Sequence, residues 1–460
     1  MRPASPARSA RTRLQAPAHC FRRSADGHSW EKLRKYQLKG CEAGGIPRVF
    51  NKPRLAVCFV LMLAAGMPFL DAGSRVEPGD ELFIRHFPAG LEGKRLGLVI
   101  NQTSLLPDGT SLLERLHADG RIIGAIFTPE HGLDGTAEAG AKIKDGFWKD
   151  IPIFSLYGGR AKPSPAQLAR IDAFVYDIQD IGTRFYTYIS TLKAVLESAA
   201  AAGLQVYVLD RPNPGGGTIV EGPLLKEEFR SFIGSFPIPV RYGLTAGELA
   251  TMMKGEAWVP AGVRLEVVKM RGWSRDMVWS DTGLPWIPTS PNIPTPQAAL
   301  IYPGTGLVGA TNINEGRGTE SPFLILGAPW MDAEAIVKDL TAADLFPVGL
   351  EVVVYTPASI PGKAAAPAYL DKPCRGLRIT IREGKNFRSV RFALAFLKSL
   401  KEHHSGDLRT APQYMGQMFG NGLLASFLDG KTDWKTLISA MEEEERSFGE
   451  KRRPYLLYGF

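Results

Sequence analysis

The sequence predicts an α/β fold: a doubly wound parallel sheet followed by a smaller α+β region. Three observations carry that reading. From about residue 80 to 215, short apolar runs alternate with segments long enough for crossover helices. Those runs are rich in Val, Ile, Leu and Phe on both faces, as parallel strands covered by helices must be. The composition, 44% hydrophobic and 22% charged over 460 residues, is that of a globular protein with more than one small core.

The predicted strands are 96–100, 122–127, 152–155, 173–177 and 206–209, with helices at 111–118, 165–171 and 187–202 between them. Thr245-Ala246-Gly247-Glu248 fits a capping box opening another helix, so Glu248 reads as structural. Residues 280–322 are dense in Pro, Gly, Asn and Thr and read as a long ordered loop. Beyond them come a helix at 332–340, strands at 351–355 and 377–382, and helices near 390–402 and 432–446. The expected division is a sheet domain over 75–300 and an α+β domain over 301–460.

Charge is concentrated at the start. Residues 1–54 hold 13 Lys/Arg against 3 Asp/Glu, and the other 406 residues hold 42 against 44. A nucleic-acid binder carries its positive charge on the folded body, and this body is near neutral, so that class is excluded. Residues 55–70 contain no charge, follow Lys52 and Arg54, and run into small residues, which describes a secretory signal over 55–74. Sixteen residues fall short of the roughly 20 a spanning helix needs, leaving a membrane anchor as runner-up. Residues 1–54 are then a disordered extension or the product of a start codon placed too early. Cys20, Cys41 and Cys58 precede the expected cut, so Cys374 stands alone and no internal disulfide is expected. The expectation is an exported protein, periplasmic or extracellular, with no membrane span after cleavage.

Open α/β sheets bind ligands beyond the carboxyl ends of their strands. The loops there read Asn101-Gln102-Thr103-Ser104, Pro129-Glu130-His131-Gly132, Ser155-Leu156-Tyr157-Gly158, Asp177-Ile178-Gln179-Asp180 with Arg184-Phe185-Tyr186, and Asp210-Arg211-Pro212-Asn213-Pro214. Together they favour a sugar-like polyhydroxy ligand. Gly304 to Gly309 matches G-x-G-x-x-G but lacks the strand before and helix after that a dinucleotide site requires, so its glycines read as turn formers and no cofactor is expected. H-E-x-x-H, G-x-x-x-x-G-K-[ST] and G-x-S-x-G are absent. An ion site on Asp177, Asp180 and Asp210 stays open as a minority reading.

Glycoside hydrolysis needs a protonated acid at the leaving oxygen and usually a second carboxylate opposite it. Glu130, held in a Pro–Gly loop beside His131 as a hydrogen-bond partner, is the first candidate for the acid. Asp177 and Asp180 lead for the second carboxylate, followed by Glu221 and Glu315. Arg184, Arg211 and Arg317 sit in Gly- or Pro-containing loops. A guanidinium there either meets a ligand carboxylate, such as the lactyl group of muramic acid, or pairs with a nearby Asp.

These strings, with Ser290-Pro291-Asn292 and Glu315-Gly316-Arg317-Gly318-Thr319, occur in an order that resembles the NamZ-type exo-β-N-acetylmuramidases, across residues 80–460. The resemblance implies a Rossmann-like domain, a smaller C-terminal domain and a site in the cleft between them. It implies release of a β-1,4-linked N-acetylmuramic acid from the non-reducing end of peptidoglycan fragments, with the family's motif glutamate at Glu130. Asn101, Gln102, Thr103, Gln179, Arg184, Tyr186, Asp210, Arg211, Asn213, Glu221, Asn292, Glu315 and Arg317 are then candidate substrate-binding residues. One departure stands out: the family commonly has Glu-Gly-Thr-Asn where this chain has Gly309-Ala310-Thr311-Asn312. A saccharide-binding protein without turnover and a metal-dependent hydrolase are the alternatives.

Overall fold

The computed structural model describes residues 75–159, 161–342 and 346–459. The expected basic leader, the signal segment and Cys20, Cys41 and Cys58 lie outside the described residues.

The first half runs α1 (Gly79–Arg85), β1 (Leu96–Ile100), α2 (Leu112–Ala118), β2 (Ile123–Thr128), β3 (Gly146–Trp148) and β4 (Ile151–Ser155). It continues through α3 (Pro165–Leu168), β5 (Ala173–Asp177), α4 (Tyr188–Ala202), β6 (Gln205–Leu209), α5 (Ala246–Gly255) and β7 (Arg264–Val268). These strands form one sheet in the order β3-β4-β2-β1-β5-β6-β7, parallel except for β3 against β4. From β1 the chain winds outward through β2 and β4, then returns to β5 on the other side. The topological switch therefore falls between β1 and β5, where Ile100 pairs with Asp177. Every residue of β1 and β5 is buried, which explains their apolar sequences.

The second half contains α6 (Pro296–Thr305), β8 (Ile325–Ala328), α7 (Ala333–Ala342), β9 (Val348–Tyr355) and β10 (Cys374–Ile381). Four more helices follow: α8 (Ser389–His404), α9 (Pro412–Phe419), α10 (Leu423–Leu428) and α11 (Trp434–Lys451). Its sheet is antiparallel, ordered β8-β10-β9. One apolar cluster includes Val99 and Phe174 from the large sheet and Leu326, Leu377 and Phe392 from the second half. Each such buried side chain contributes ~1.5–3 kcal/mol. The two sheets share a core.

Two sequence readings need correcting. The stretch 280–322 is not all loop, since α6 and a 3₁₀ turn over Gly306–Ala310 lie inside it. Pro296 sits in the first turn, where its missing N–H is harmless, and nearly the whole helix is buried, so no amphipathic stripe betrays it. Nor are all the G-x-G-x-x-G glycines turn formers. A Cβ on Gly304 would come within 1.8 Å of the Ser389 carbonyl oxygen, so this glycine lets α6 pack against the start of α8.

Residues 452–458 return to the large sheet. Leu457 N–H donates to Glu248 at 2.9 Å, Tyr458 hydroxyl to Asp210 at 2.6 Å, and Arg452 to the carbonyls of Tyr242 and Gly243. Glu248 completes the capping box with Thr245 and pairs with the buried Arg275 at 2.5 Å, a structural role. Among the described residues, no helix is long and apolar enough to cross a membrane.

Candidate active site

Glu130 follows β2, the neighbour of β1, and projects from a tightly wound loop. His131 and Gly132 both take positive φ, 73° and 80°. A histidine in the left-handed region is uncommon, and such strain clusters at functional sites. The bend is braced by His131 itself, whose Nδ1–H donates to the Ala137 carbonyl at 2.6 Å. His131 therefore holds the loop, and the partners of Glu130 are others. Glu130 Oε2 accepts from the Thr187 hydroxyl at 2.6 Å, and Oε1 from the Gly140 N–H at 2.9 Å. Thr187 immediately precedes α4, beyond β5, so this bond crosses the switch point.

Four tyrosines gather around that carboxylate. Burial pushes the phenols of Tyr157, Tyr188, Tyr302 and Tyr414 up, and the charge of Glu130 adds to the shift in each. Tyr302 and Tyr414 also lie in the field of Glu315 and Arg317, the guanidinium pulling both phenols down. A chain of rings connects the two ends: Tyr188 to Tyr186 (4.8 Å), Tyr186 to Tyr302 (5.9 Å) and Tyr302 to Phe323 (4.6 Å). The Arg317 guanidinium lies 5.1 Å from the Phe323 ring centre and is paired with Glu315. Burial opposes its charge, but Glu315 and its neighbours hold its pKa above the ordinary value. Arg317 keeps a third of its side chain exposed, and Tyr414 is also exposed. One charged fork and one aromatic face thus remain open to a ligand.

The other candidates are engaged elsewhere. Asp177 is fully buried and paired in bidentate fashion with Arg211, at 2.5 and 2.9 Å. Arg211 also holds Asp80 at 2.7 Å; burial pushes that carboxyl up to about 7, with Arg211 opposing and Asp177 reinforcing the rise. Asp180 accepts from Gly182 N–H at 2.7 Å and from Tyr242, and burial raises it to about 6. Asp210 bonds Thr245, Gly247 and Tyr458 and is likewise raised to about 6 by burial. Asp80 and Asp177 share Arg211, while Asp180 and Asp210 take partners of their own, and among the described residues no group of three or more His, Cys, Asp or Glu is placed to hold a metal ion. Arg184 is swallowed by the fold: its guanidinium donates to the carbonyls of Pro223, Ile238 and Met418, and burial lowers it to about 9. Glu221 pairs with buried Arg241 at 3.3 Å.

The amides mostly fasten loops. Asn101 accepts from Thr103, whose hydroxyl in turn accepts from Gln179 N–H; Gln179 donates to the carbonyls of Asp180 and Pro212. Gln102 reaches the carbonyls of Pro288 and Thr289, Asn213 that of Leu244, and Asn292 that of Lys363. Tyr186 bonds the Thr289 hydroxyl at 2.8 Å. Gly309 is exposed, and a Cβ there would meet no atom within 4 Å, so packing does not impose glycine at this position. Of the sequence candidates, the structure brings together Glu130, Glu315 and Arg317. Sequence reasoning missed Tyr188, Tyr302 and Tyr414 as site residues, and assigned Thr187 no role. Tyr302 was concealed in a stretch that reads as loop, and Tyr414 in a short helix whose only mark is Pro412.

Glu130, just past a strand of the parallel sheet, and Glu315, ahead of β8 in the second half, share the tyrosines Tyr302 and Tyr414, and paired carboxylates are what glycoside hydrolysis uses. Comparison with known proteins makes this specific. Residues 96–297 match the family profile "Exo-beta-N-acetylmuramidase NamZ, N-terminal", and residues 300–458 its C-terminal counterpart. The chain belongs to that family. It is 35% identical over 390 residues to the peptidoglycan beta-N-acetylmuramidase NamZ of Bacillus subtilis (strain 168), covering 84% of this chain and 92% of the relative. Crystal structures of two DUF1343 family proteins from Bacteroides fragilis NCTC 9343 superpose with TM-scores of 0.76 and 0.68, at 31% and 30% identity. Each comparison covers 84% of this chain and 99% of the other.

Proposed function

We propose that this protein is an exported exo-β-N-acetylmuramidase that releases a β-1,4-linked N-acetylmuramic acid from the non-reducing end of peptidoglycan fragments, in cell-wall turnover. The observation that carries the reading is the run of rings from Tyr188 through Tyr186 and Tyr302 to Phe323, which joins the surroundings of Glu130 to the Glu315–Arg317 pair. Glu130 acts as the general acid, giving its proton to the glycosidic oxygen. Glu315 serves as the second carboxylate. Arg317, with donors beyond the one given to Glu315, receives the lactyl carboxylate that distinguishes muramic acid from glucosamine. The aromatic face of Tyr414 offers a platform for a sugar ring. Export draws on the charge-free run 55–70 behind a basic stretch.

The test is an assay of residues 75–460 on a disaccharide with N-acetylmuramic acid at its non-reducing end, following the free acid sugar by mass spectrometry. Glu130→Gln is expected to lower turnover by ~10²–10⁴-fold while circular dichroism stays unchanged. Turnover at the wild-type rate removes Glu130 from the chemistry. Binding by calorimetry without product, for the wild type, replaces the enzyme with a saccharide-binding protein. Intact-mass analysis of protein secreted by a bacterial host checks export, which an uncleaved or retained chain refutes.

A further inference from the structure

Among the described residues, helices open on side chains that bond their own first turn at Ser164 (on Gln167 N–H), Thr245 (Glu248 N–H), Thr295 (Ala298 N–H), Asp332 (Ala335 N–H) and Asp433 (Thr436 N–H). Thr187 precedes α4 with its own backbone already helical, φ −71° and ψ −10°, where Ser164, Thr245, Thr295 and Asp433 are extended, so its hydroxyl makes no such bond and is free to serve elsewhere. Its carbonyl still accepts from the N–H groups of Ser190 and Thr191, so the backbone starts the helix regardless. The hydroxyl turns instead to Glu130 Oε2 at 2.6 Å, 57 residues away along the chain. Thr187 is buried and Glu130 half-buried.

The two oxygens of Glu130 face unlike partners. Oε1 meets the Gly140 N–H, a donor that cannot reverse, so a proton on Oε1 would oppose it. Oε2 meets a hydroxyl whose hydrogen rotates: donor when the carboxyl is charged, acceptor when it is protonated. We propose that Thr187 is the positioning residue of Glu130, fixing the carboxyl plane and making Oε2 the oxygen that gives up and regains the reacting proton. This rests on the reading of Glu130 as general acid. In the step, the Oε2–H bond breaks as the proton joins the glycosidic oxygen, and the C1–O bond breaks with its electron pair staying on the leaving sugar. A water supplies the new hydroxyl at C1 and the proton that restores the acid. Thr187 donates to Oε2 while it is charged.

The test compares Thr187→Val, which keeps the shape and removes the hydroxyl, with Thr187→Ser, which keeps the hydroxyl. The Tyr157 hydroxyl also bonds this carboxyl, and Tyr188, Tyr302 and Tyr414 lie in its field, the last two also in that of Glu315 and Arg317. They are common to all three proteins, so differences isolate Thr187. On the muramic-acid disaccharide, Thr187→Val is expected to lower kcat by ~10–100-fold with KM changed by less than about twofold. The alkaline limb of its kcat profile moves to higher pH, because the charged carboxylate has lost a donor. Thr187→Ser recovers both. A Val variant with wild-type kcat and profile, or Val and Ser falling equally, overturns the proposal. Should the wild type release no sugar at all, the functional reading fails separately. The ¹³C titration of the Glu130 carboxyl then decides: displacement in Val and not in Ser upholds the positioning role, and identical curves in all three overturn it.

Discussion

Two sets of charged residues, one at the ends of β5 and β6 and one joining the loop after β2 to the segment ahead of β8, differ in what is left open. Beyond β5 and β6, Asp177 and Arg211 close on Asp80, Asp210 is taken up by Thr245, Tyr458 and Gly247 N–H, and Asp180 bonds Tyr242 and Gly182 N–H through Oδ2 while its Oδ1 is buried without a hydrogen-bond partner. Beyond β2, across the switch to Thr187, Glu130 meets hydroxyls that can turn, and Arg317 keeps an exposed fork. The first set anchors loops, and the second can answer a ligand. Residue type does not separate them; access does, since Asp177, Asp180, Asp210 and Arg211 are buried while Arg317 keeps a third of its side chain exposed.

The largest effect expected from disturbing this division lies in the anchor. Arg211→Met leaves Asp80 and Asp177 buried without a cation and should destabilise the fold by ~3–5 kcal/mol in urea unfolding. A loss below about 1 kcal/mol would show that water reaches the pair and that the anchor is not closed. The same substitution in the open set, Arg317→Met, should lower the unfolding midpoint less, since a third of the Arg317 side chain is exposed. It should lower kcat/KM on the muramic-acid disaccharide by roughly 100- to 1000-fold, the range for removing one partner of a desolvated charge pair. Its preference over the equivalent substrate lacking the lactyl group should vanish; retained preference would move lactyl recognition elsewhere.

The smallest effect concerns pH. Burial lifts Asp180 to about 6, above the ordinary 3.8, so the folded chain holds that proton more tightly than the unfolded chain. Its contribution is therefore greatest at low pH and is lost as pH rises from about 4 through about 6. Asp180→Asn, with an amide in place of the charge, should flatten the fall in unfolding free energy over that window by on the order of 2 kcal/mol. Asp210 and Asp80, raised in the same direction, leave a residual slope. An unaltered slope would mean that Asp180 does not titrate there.

The parallel strands were legible because burial on both faces demands continuous apolar runs, as β1 and β5 show. Strand β7, Arg-Leu-Glu-Val-Val, lies at the sheet edge with Arg264 and Glu266 exposed, and its sequence carries no such run. Helix α6 was hidden by its prolines and by burial on nearly all sides. At the site, Glu130 was legible through the turn chemistry of Pro129 and Gly132 around it. Asp177, Asp180 and Arg184 looked equally promising, since polar loops at strand ends read alike whether or not the fold consumes their bonds. Tyr302 and Tyr414 reach Glu130 only through tertiary folding, and no local spacing announces that meeting.

The closure by residues 452–458 has a consequence in time. Asp210 ends up bonded to Tyr458, 248 residues further along the chain. At ~5–20 residues per second, a ribosome needs roughly 10–50 s to travel that distance. Throughout this interval the nascent sheet carries an acceptor whose partner does not yet exist, next to a helix start that depends on the same carboxylate. The large sheet can collapse early, yet it reaches its final form only when the closing residues emerge. A nascent chain stalled before Arg452 should be the species most exposed to chaperones and proteases.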